Sequence, residues 1–216
     1  RNPFRMTVDP HTGAVLVGDY GPDATQANPD RGPAGMVEWN VITEPGNYGW
    51  PHCIADNVPY RDYDFATGES GELFDCENGP VNDSPHNTGL QQLPPAKPAF
   101  IWYGYGPSEE FPELGSGGAG PMSGPVYDYD PELESDTKFP EYYDGKWFVF
   151  EYTRNFYKTI TFAEEDATFE SFDPVSAGDL VSIDSFLDSM TFRAPFEADF
   201  GPDGSLYVID FGSGSG

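Results

Sequence analysis

A strand, a short turn closed by glycine and a second strand ending in aspartate recur along this chain, and that repeat limits its possible folds more than any other feature. One copy enters its turn at Asp9-Pro10-His11-Thr12-Gly13 and leaves through an apolar strand ending at Asp19. A later copy turns at Gly201-Pro202-Asp203-Gly204 and ends at Asp210, and a looser one turns at Asp144-Gly145 before Lys146-Trp147-Phe148-Val149-Phe150. Glycine closes such turns because it accepts a positive φ that branched residues resist. Residues 6–19, 146–162 and 200–210 are therefore expected to form hairpins in separate sheets. One hairpin theme repeated along a chain predicts an all-β fold of the β-propeller kind, whose blades leave only short, protected edges. Further strands are expected at 125–129 and 179–186, which gives about three blades, and uneven spacing places loops between the blade cores.

The largest of these loops runs from 21 to 98. It is dense in Gly, Pro, Asn and Asp and holds no amphipathic helix of convincing length. So long an irregular stretch is expected to be functional, and its Trp, Tyr and Cys content favours an ordered loop held by metal or disulfide. A second loop carries Gly115-Ser116-Gly117-Gly118-Ala119-Gly120. No helix follows it, so it is not a phosphate-cradling loop, and it reads as a flexible rim segment.

Charge narrows the partners. The chain holds 37 acidic against 10 basic residues, a formal net charge of −27. Such a surface repels phosphate backbones and anionic bilayers, so neither nucleic acid nor a membrane is an expected partner. Dense carboxylates supply hard oxygen ligands for calcium and suit a high-salt solvent, in which their repulsion is screened. An ordinary acidic secreted protein is the alternative to a halophilic one. Aromatics at 16% argue against disorder.

Cys53 and Cys76 are the two cysteines. CxxC spacing is absent and a zinc site would need more ligands nearby, so a disulfide closing one long loop is expected, with two free buried thiols as the alternative. A disulfide implies an oxidising compartment and hence secretion. No apolar run is long enough to span a bilayer. The chain opens at Arg1 rather than methionine and reads as a piece of a longer product.

Three strings stand in order near the start: Arg1-Asn2-Pro3, then Gly18-Asp19-Tyr20-Gly21-Pro22-Asp23, then Glu38-Trp39-Asn40 with Gly46-Asn47-Tyr48-Gly49-Trp50-Pro51. With Pro80-Val81-Asn82-Asp83-Ser84-Pro85-His86-Asn87-Thr88-Gly89 further on, this order resembles the soluble glucose and sorbosone dehydrogenase family, in particular its large secreted multidomain members. The resemblance implies a six-bladed propeller that binds pyrroloquinoline quinone (PQQ) and calcium and oxidises sugars or polyols, with residues 1–216 forming part of that domain. It further implies that Arg1 and Asn2 hold the cofactor by charge-assisted hydrogen bonds to its carboxylates. Backbone carbonyls of Gly21 and Pro22 would bind the calcium beside it, and Glu38 and Tyr48 would serve a second, structural calcium.

Departures from the family pattern bear on activity. The family's histidine base lies upstream of the Arg-Asn-Pro string, and none of His11, His52 and His86 matches it, so no catalytic residue is assigned here. Thr153 stands where a cofactor-binding Lys is expected, and Arg154 or Arg193 is the remaining candidate on the later strands. The chain alone is therefore expected to be inactive, with the rest of the propeller as its partner. Two other functions stay open: a calcium-stabilised extracellular carbohydrate-binding propeller without catalysis, and a calcium-dependent propeller hydrolase.

Overall fold

The structure is a computed structural model that describes residues 2–163 and 180–212. Its first sheet begins with β1 (Asn2–Val8) and β2 (Val15–Tyr20), which pair antiparallel around the Asp9–Gly13 turn; β3 (Val37–Ile42) then pairs with β2. An insertion follows with two small hairpins, β4 (Cys53–Ile54) with β5 (Val58–Pro59), and β6 (Arg61–Tyr63) with β7 (Ser70–Leu73). The chain then returns to the first sheet as β8 (Ile101–Tyr103), which pairs with β3. A second four-stranded sheet is a plain meander of β9 (Pro121–Val126), β10 (Trp147–Glu151), β11 (Phe156–Phe162) and β12 (Leu180–Phe186). A third begins with β13 (Pro195–Phe200) and β14 (Leu206–Asp210).

Consecutive antiparallel sheets stacked face to face, each starting from the inside, are the blades of a β-propeller. Helical structure is confined to two single 3-10 turns among the described residues. The three expected hairpins fall in three separate sheets.

Strand β10 shows how sequence dictates the packing. Every residue of it is buried, and successive side chains point to opposite faces. Trp147 and Val149 join Trp39, Ile101 and Val41 in the core between the first two sheets. Phe148 and Phe150 join Tyr157, Phe186 and Ala198 on the other side, toward the third sheet. A strand covered on both faces has no polar alternation, which is why it reads as a continuous apolar run. Each such side chain contributes about 1.5–3 kcal/mol by leaving water. Polar bonds fix the register of the first sheet on the second: Trp39 Nε1 donates to Met122 O at 3.1 Å, and Ser123 Oγ to Leu16 O at 3.0 Å.

Three expectations change. Val37–Ile42 lies within the stretch read as one long loop and is a fully paired strand, so the true interruption of the first sheet runs from β3 to β8. The strand expected at 125–129 sits earlier, at Pro121–Val126. Pro121 and Pro125 are tolerated because β9 pairs with β10 alone and its other edge needs no N–H donor. The Gly-rich segment is not a loose rim: Arg154 and Glu151 hold it, as described below. The expected strand at 179–186 matches Leu180–Phe186, its first residue lying outside the described ones.

Candidate functional site

The inner strands of the three sheets converge on one cavity. β9 runs against β1 and β2 on one side and β13 on the other. Where their ends meet is a space of about 570 Å³ lined by Asn2, Phe4, Tyr20, Gly21, Met122, Tyr152, Phe196 and Phe211. Five of the eight are aromatic, so the walls are flat and apolar, with one amide at the edge. Gly21 is compelled by crowding: a Cβ there would lie 1.6 Å from the carbonyl oxygen of Met36. Bare backbone therefore forms that part of the wall.

Behind Tyr20 and Tyr152 sits Glu151, fully buried at the end of β10. Its carboxylate accepts the backbone N–H groups of Gly120 and Arg154 and both oxygens receive Thr153 Oγ1 at 2.9 Å. Burial raises its pKa, and the hydrogen bonds from Gly120, Arg154 and Thr153 oppose that rise. The phenol of Tyr20 is raised by its own burial and then by the charge of Glu151. Tyr103, wholly buried nearby, is raised well above the ordinary phenol value by burial and again by Glu151.

Arg154 faces the same corner from the turn after β10. It donates from Nε to Gly118 O at 2.7 Å, from one terminal nitrogen to Leu114 O and Gly115 O at 2.9 and 3.1 Å, and from the other to Gly104 O at 2.5 Å. Its guanidinium also lies over the Tyr103 ring, 4.4 Å from the centroid. The Gly-rich segment is thus clamped by one arginine on its carbonyls and one glutamate on an N–H.

The residues singled out in the sequence divide into groups. Asn2 and Gly21 line the cavity together, brought side by side by the β1–β2 pairing in which Asn2 faces Tyr20. Pro22 follows directly, and its carbonyl accepts Ala24 N at 2.8 Å. Arg1 lies outside the described residues. Arg154 spends its donors on loop carbonyls, and Arg193 is exposed, with its backbone N–H on Asp210 at 3.0 Å. Glu38 is buried in β3 and accepts Ala55 N at 2.7 Å and Asn40 Nδ2 at 3.1 Å, whereas the Tyr48 hydroxyl donates to Glu44 O at 3.0 Å. Cys53 and Cys76 form a disulfide, and both are buried beside Ala96.

Sequence reasoning did not select Tyr20, Tyr152, Glu151, Phe196 or Phe211. Tyr20 falls within the Gly18–Asp23 string and the Glu151-Tyr152 pair within the hairpin expected at 146–162; Phe196 and Phe211 carried no signal beyond apolarity.

No protein-family model matches the chain, and no curated protein does. Among solved structures it is similar to a putative oxidoreductase (glucose dehydrogenase) of Thermus thermophilus. That match has 19% identity and a TM-score of 0.49, and covers 96% of this chain and 39% of the other. A second similar structure is a glucose dehydrogenase at 19% identity and TM-score 0.48, with 97% and 42% covered. The chain thus spans about two-fifths of the length of each. No helix of the described residues is long and apolar enough to cross a membrane.

Proposed function

We propose that the chain is part of a secreted, quinone- and calcium-dependent sugar or polyol dehydrogenase whose cofactor lies in the cavity between β1, β9 and β13. The observation that carries this reading is the meeting of Asn2 and Gly21 on a slot walled by Phe4, Tyr20, Tyr152, Phe196 and Phe211. A flat, mostly apolar slot with an amide at its rim fits a planar quinone bearing carboxylates. The crowding that admits only glycine at position 21 leaves a backbone edge on which a hard cation and a ring system can both rest.

Asn2 would donate its amide to a cofactor carboxylate, with Arg1 beside it. The carbonyls of Gly21 and Pro22 would hold calcium. Bound there, PQQ would supply a two-electron acceptor for the oxidation of a sugar carbon, and calcium would supply Lewis acidity beside it. Tyr20 and Tyr152 would orient the ring and keep water from one face, while Glu151 and Arg154 hold the Gly-rich segment that supports them. None of His11, His52 or His86 lines this cavity, and on this reading the base for the substrate proton would be supplied by the rest of the domain.

A second reading, a calcium-stabilised carbohydrate-binding propeller without chemistry, is favoured by Arg154. Its donors are bound to four carbonyls, which leaves a cofactor with fewer cationic ligands. Titration separates the two. With the first reading, calcium raises the melting temperature, Glu38→Gln blunts that rise, and PQQ added to the calcium-loaded chain binds with a Kd of about 0.1–1 mM that Asn2→Ala weakens further. A calcium response without any quinone binding selects the second. Absence of both responses sinks the two together.

A further inference from the structure

A second cleft, of about 630 Å³, opens between the β2–β3 connection, which brings Arg31, and the insertion between β3 and β8; it shares no lining residue with the cavity above and comes nearest to it at Pro22. Its walls alternate aromatic faces with planar polar groups. Trp50 is 38% exposed and stands edge-on to Tyr60, with ring centroids 5.8 Å apart. Phe65 is 80% exposed, a large apolar ring presented to water with Tyr63 and Arg31 beside it. The Arg31 guanidinium lies over both of those rings, 4.5 Å from Tyr63 and 5.2 Å from Phe65. Stacking holds an arginine in place while leaving the N–H groups at its edge available. Arg61 is fixed by bonds from Nε to Pro29 O at 2.9 Å and from a terminal nitrogen to Gly71 O at 3.1 Å.

His52 forms part of the lining. Its side chain is buried, with 8% of the residue exposed, and its Nδ1 has no hydrogen-bond partner. The ring meets Phe74 edge-on at 4.5 Å. Burial holds the pKa of this imidazole down, so it stays neutral. Nδ1 is closed to solvent, so His52 shapes the wall of the cleft rather than meeting a ligand through that atom. The disulfide sets this geometry in advance, since His52 adjoins Cys53 and Phe74 is two residues from Cys76. A cleft shaped before binding loses less entropy on binding.

The ligand class follows from these groups. Asp62 lines the cleft with Arg31, both are exposed, and a purely apolar partner would strip water from the two without replacing its hydrogen bonds. A polyanion would meet a chain of net charge −27. A sugar ring meets both demands, with C–H groups on one face for the negative face of an aromatic ring and hydroxyls at its edge for planar donors and acceptors. We infer that this cleft binds a neutral oligosaccharide, with pyranose faces on Trp50 and Phe65 and hydroxyls on Arg31 and Asp62. The inference does not depend on the proposed quinone site.

Calorimetry and tryptophan fluorescence with cellotetraose, maltotetraose and mannotetraose test it, with tetragalacturonate as the charged control. At least one neutral tetrasaccharide is expected to bind with a millimolar or lower Kd, and tetragalacturonate to give no signal at the same concentration. Phe65→Ala and Arg31→Gln should each weaken binding by about fivefold or more. Both side chains are exposed, so both variants should melt with the parent chain and keep its responses to calcium and quinone. The inference is overturned if no neutral tetrasaccharide binds, if both variants bind as the parent does, or if tetragalacturonate is preferred.

Discussion

Arg5 of β1 and Glu197 of β13 meet at 2.8 Å, so the first and third sheets touch directly across the end of β9. Arg5 Nε also donates to Phe196 O at 3.2 Å, and the guanidinium lies 4.7 Å from the Phe4 ring centroid and 4.5 Å from that of Phe196. The β1–β2 register shifts between Pro3 and Arg5, and a bulge of that kind re-aims the side chains around it. The two phenylalanines that flank Arg5 are walls of the central cavity. The ion pair thus sets the spacing of the cavity mouth.

Arg5→Gln should lower stability by about 1 kcal/mol, the scale of a partly exposed ion pair with stacking added. Urea unfolding at low and high salt checks this. The charge-dependent share of the loss should shrink as salt rises, and the stacking share should persist.

Gly21→Ala should destabilise the chain by about 3 kcal/mol, since its methyl would fall 1.6 Å from Met36 O and backbone must move to admit it. The expected result in chemical unfolding is a clear drop in midpoint with unchanged slope. A neutral effect would mean that the β2 end and the segment carrying Met36 are not packed as described.

Glu151 gives a pH signature. Burial holds its folded-state pKa above the ordinary carboxylate value, so the folded chain binds this proton more tightly than the unfolded chain does. The stability this provides is present at low pH and is lost as pH rises from the ordinary carboxylate range through the raised value. Glu151→Gln cannot titrate. The stability of the parent relative to the variant should therefore fall with rising pH across that window and be flat above it. At neutral pH the variant should still be less stable by about 1–3 kcal/mol, because one amide oxygen cannot serve the N–H groups of both Gly120 and Arg154.

The Cys53–Cys76 bridge closes a loop of 23 residues in sequence separation. Closing a loop of that size stabilises by about 3–4 kcal/mol in the chain-entropy account. Thiol counting in denaturant without reductant should find no free cysteine. Cys53→Ala with Cys76→Ala should lower stability by that amount and loosen His52 against Phe74, which fluorescence from neighbouring Trp50 would report.

Hairpin turns were the most legible part of this chain because their chemistry is local: Asp9, Gly13 and Gly204 act within a few residues of themselves. Strand β3 was hidden for the opposite reason. Val37-Glu38-Trp39-Asn40 alternates in polarity, but Glu38 and Asn40 are buried and bonded to each other, so the polar positions do not mark a solvent face. Asn2 and Gly21 could be picked out by their strings, and the pairing of β1 with β2 joins them. Arg154 could be named from sequence but its role could not, since its partners are carbonyls at Gly104, Leu114, Gly115 and Gly118, which any residue carries. Phe196 and Phe211 gain meaning only when a third sheet places them opposite the first.

The pairing of Trp39 with Ile101 has a consequence for the order in which the chain takes shape. During synthesis β1, β2 and β3 leave the ribosome about sixty residues before β8, so for several seconds the nascent sheet lacks its outer strand. In that interval the open edge of β3 and the apolar face of Val37, Trp39 and Val41 have no cover. The insertion emerges next, and Cys76 follows Cys53 before Ile101 appears. Oxidation of the pair shortens the tether that must close before β8 can dock, which lowers the entropic barrier to completing the first blade. The bridge therefore acts on the rate of assembly as well as on the finished fold, and a reducing environment should slow maturation of the first sheet more than that of the second, whose four strands follow one another without a bridged insertion.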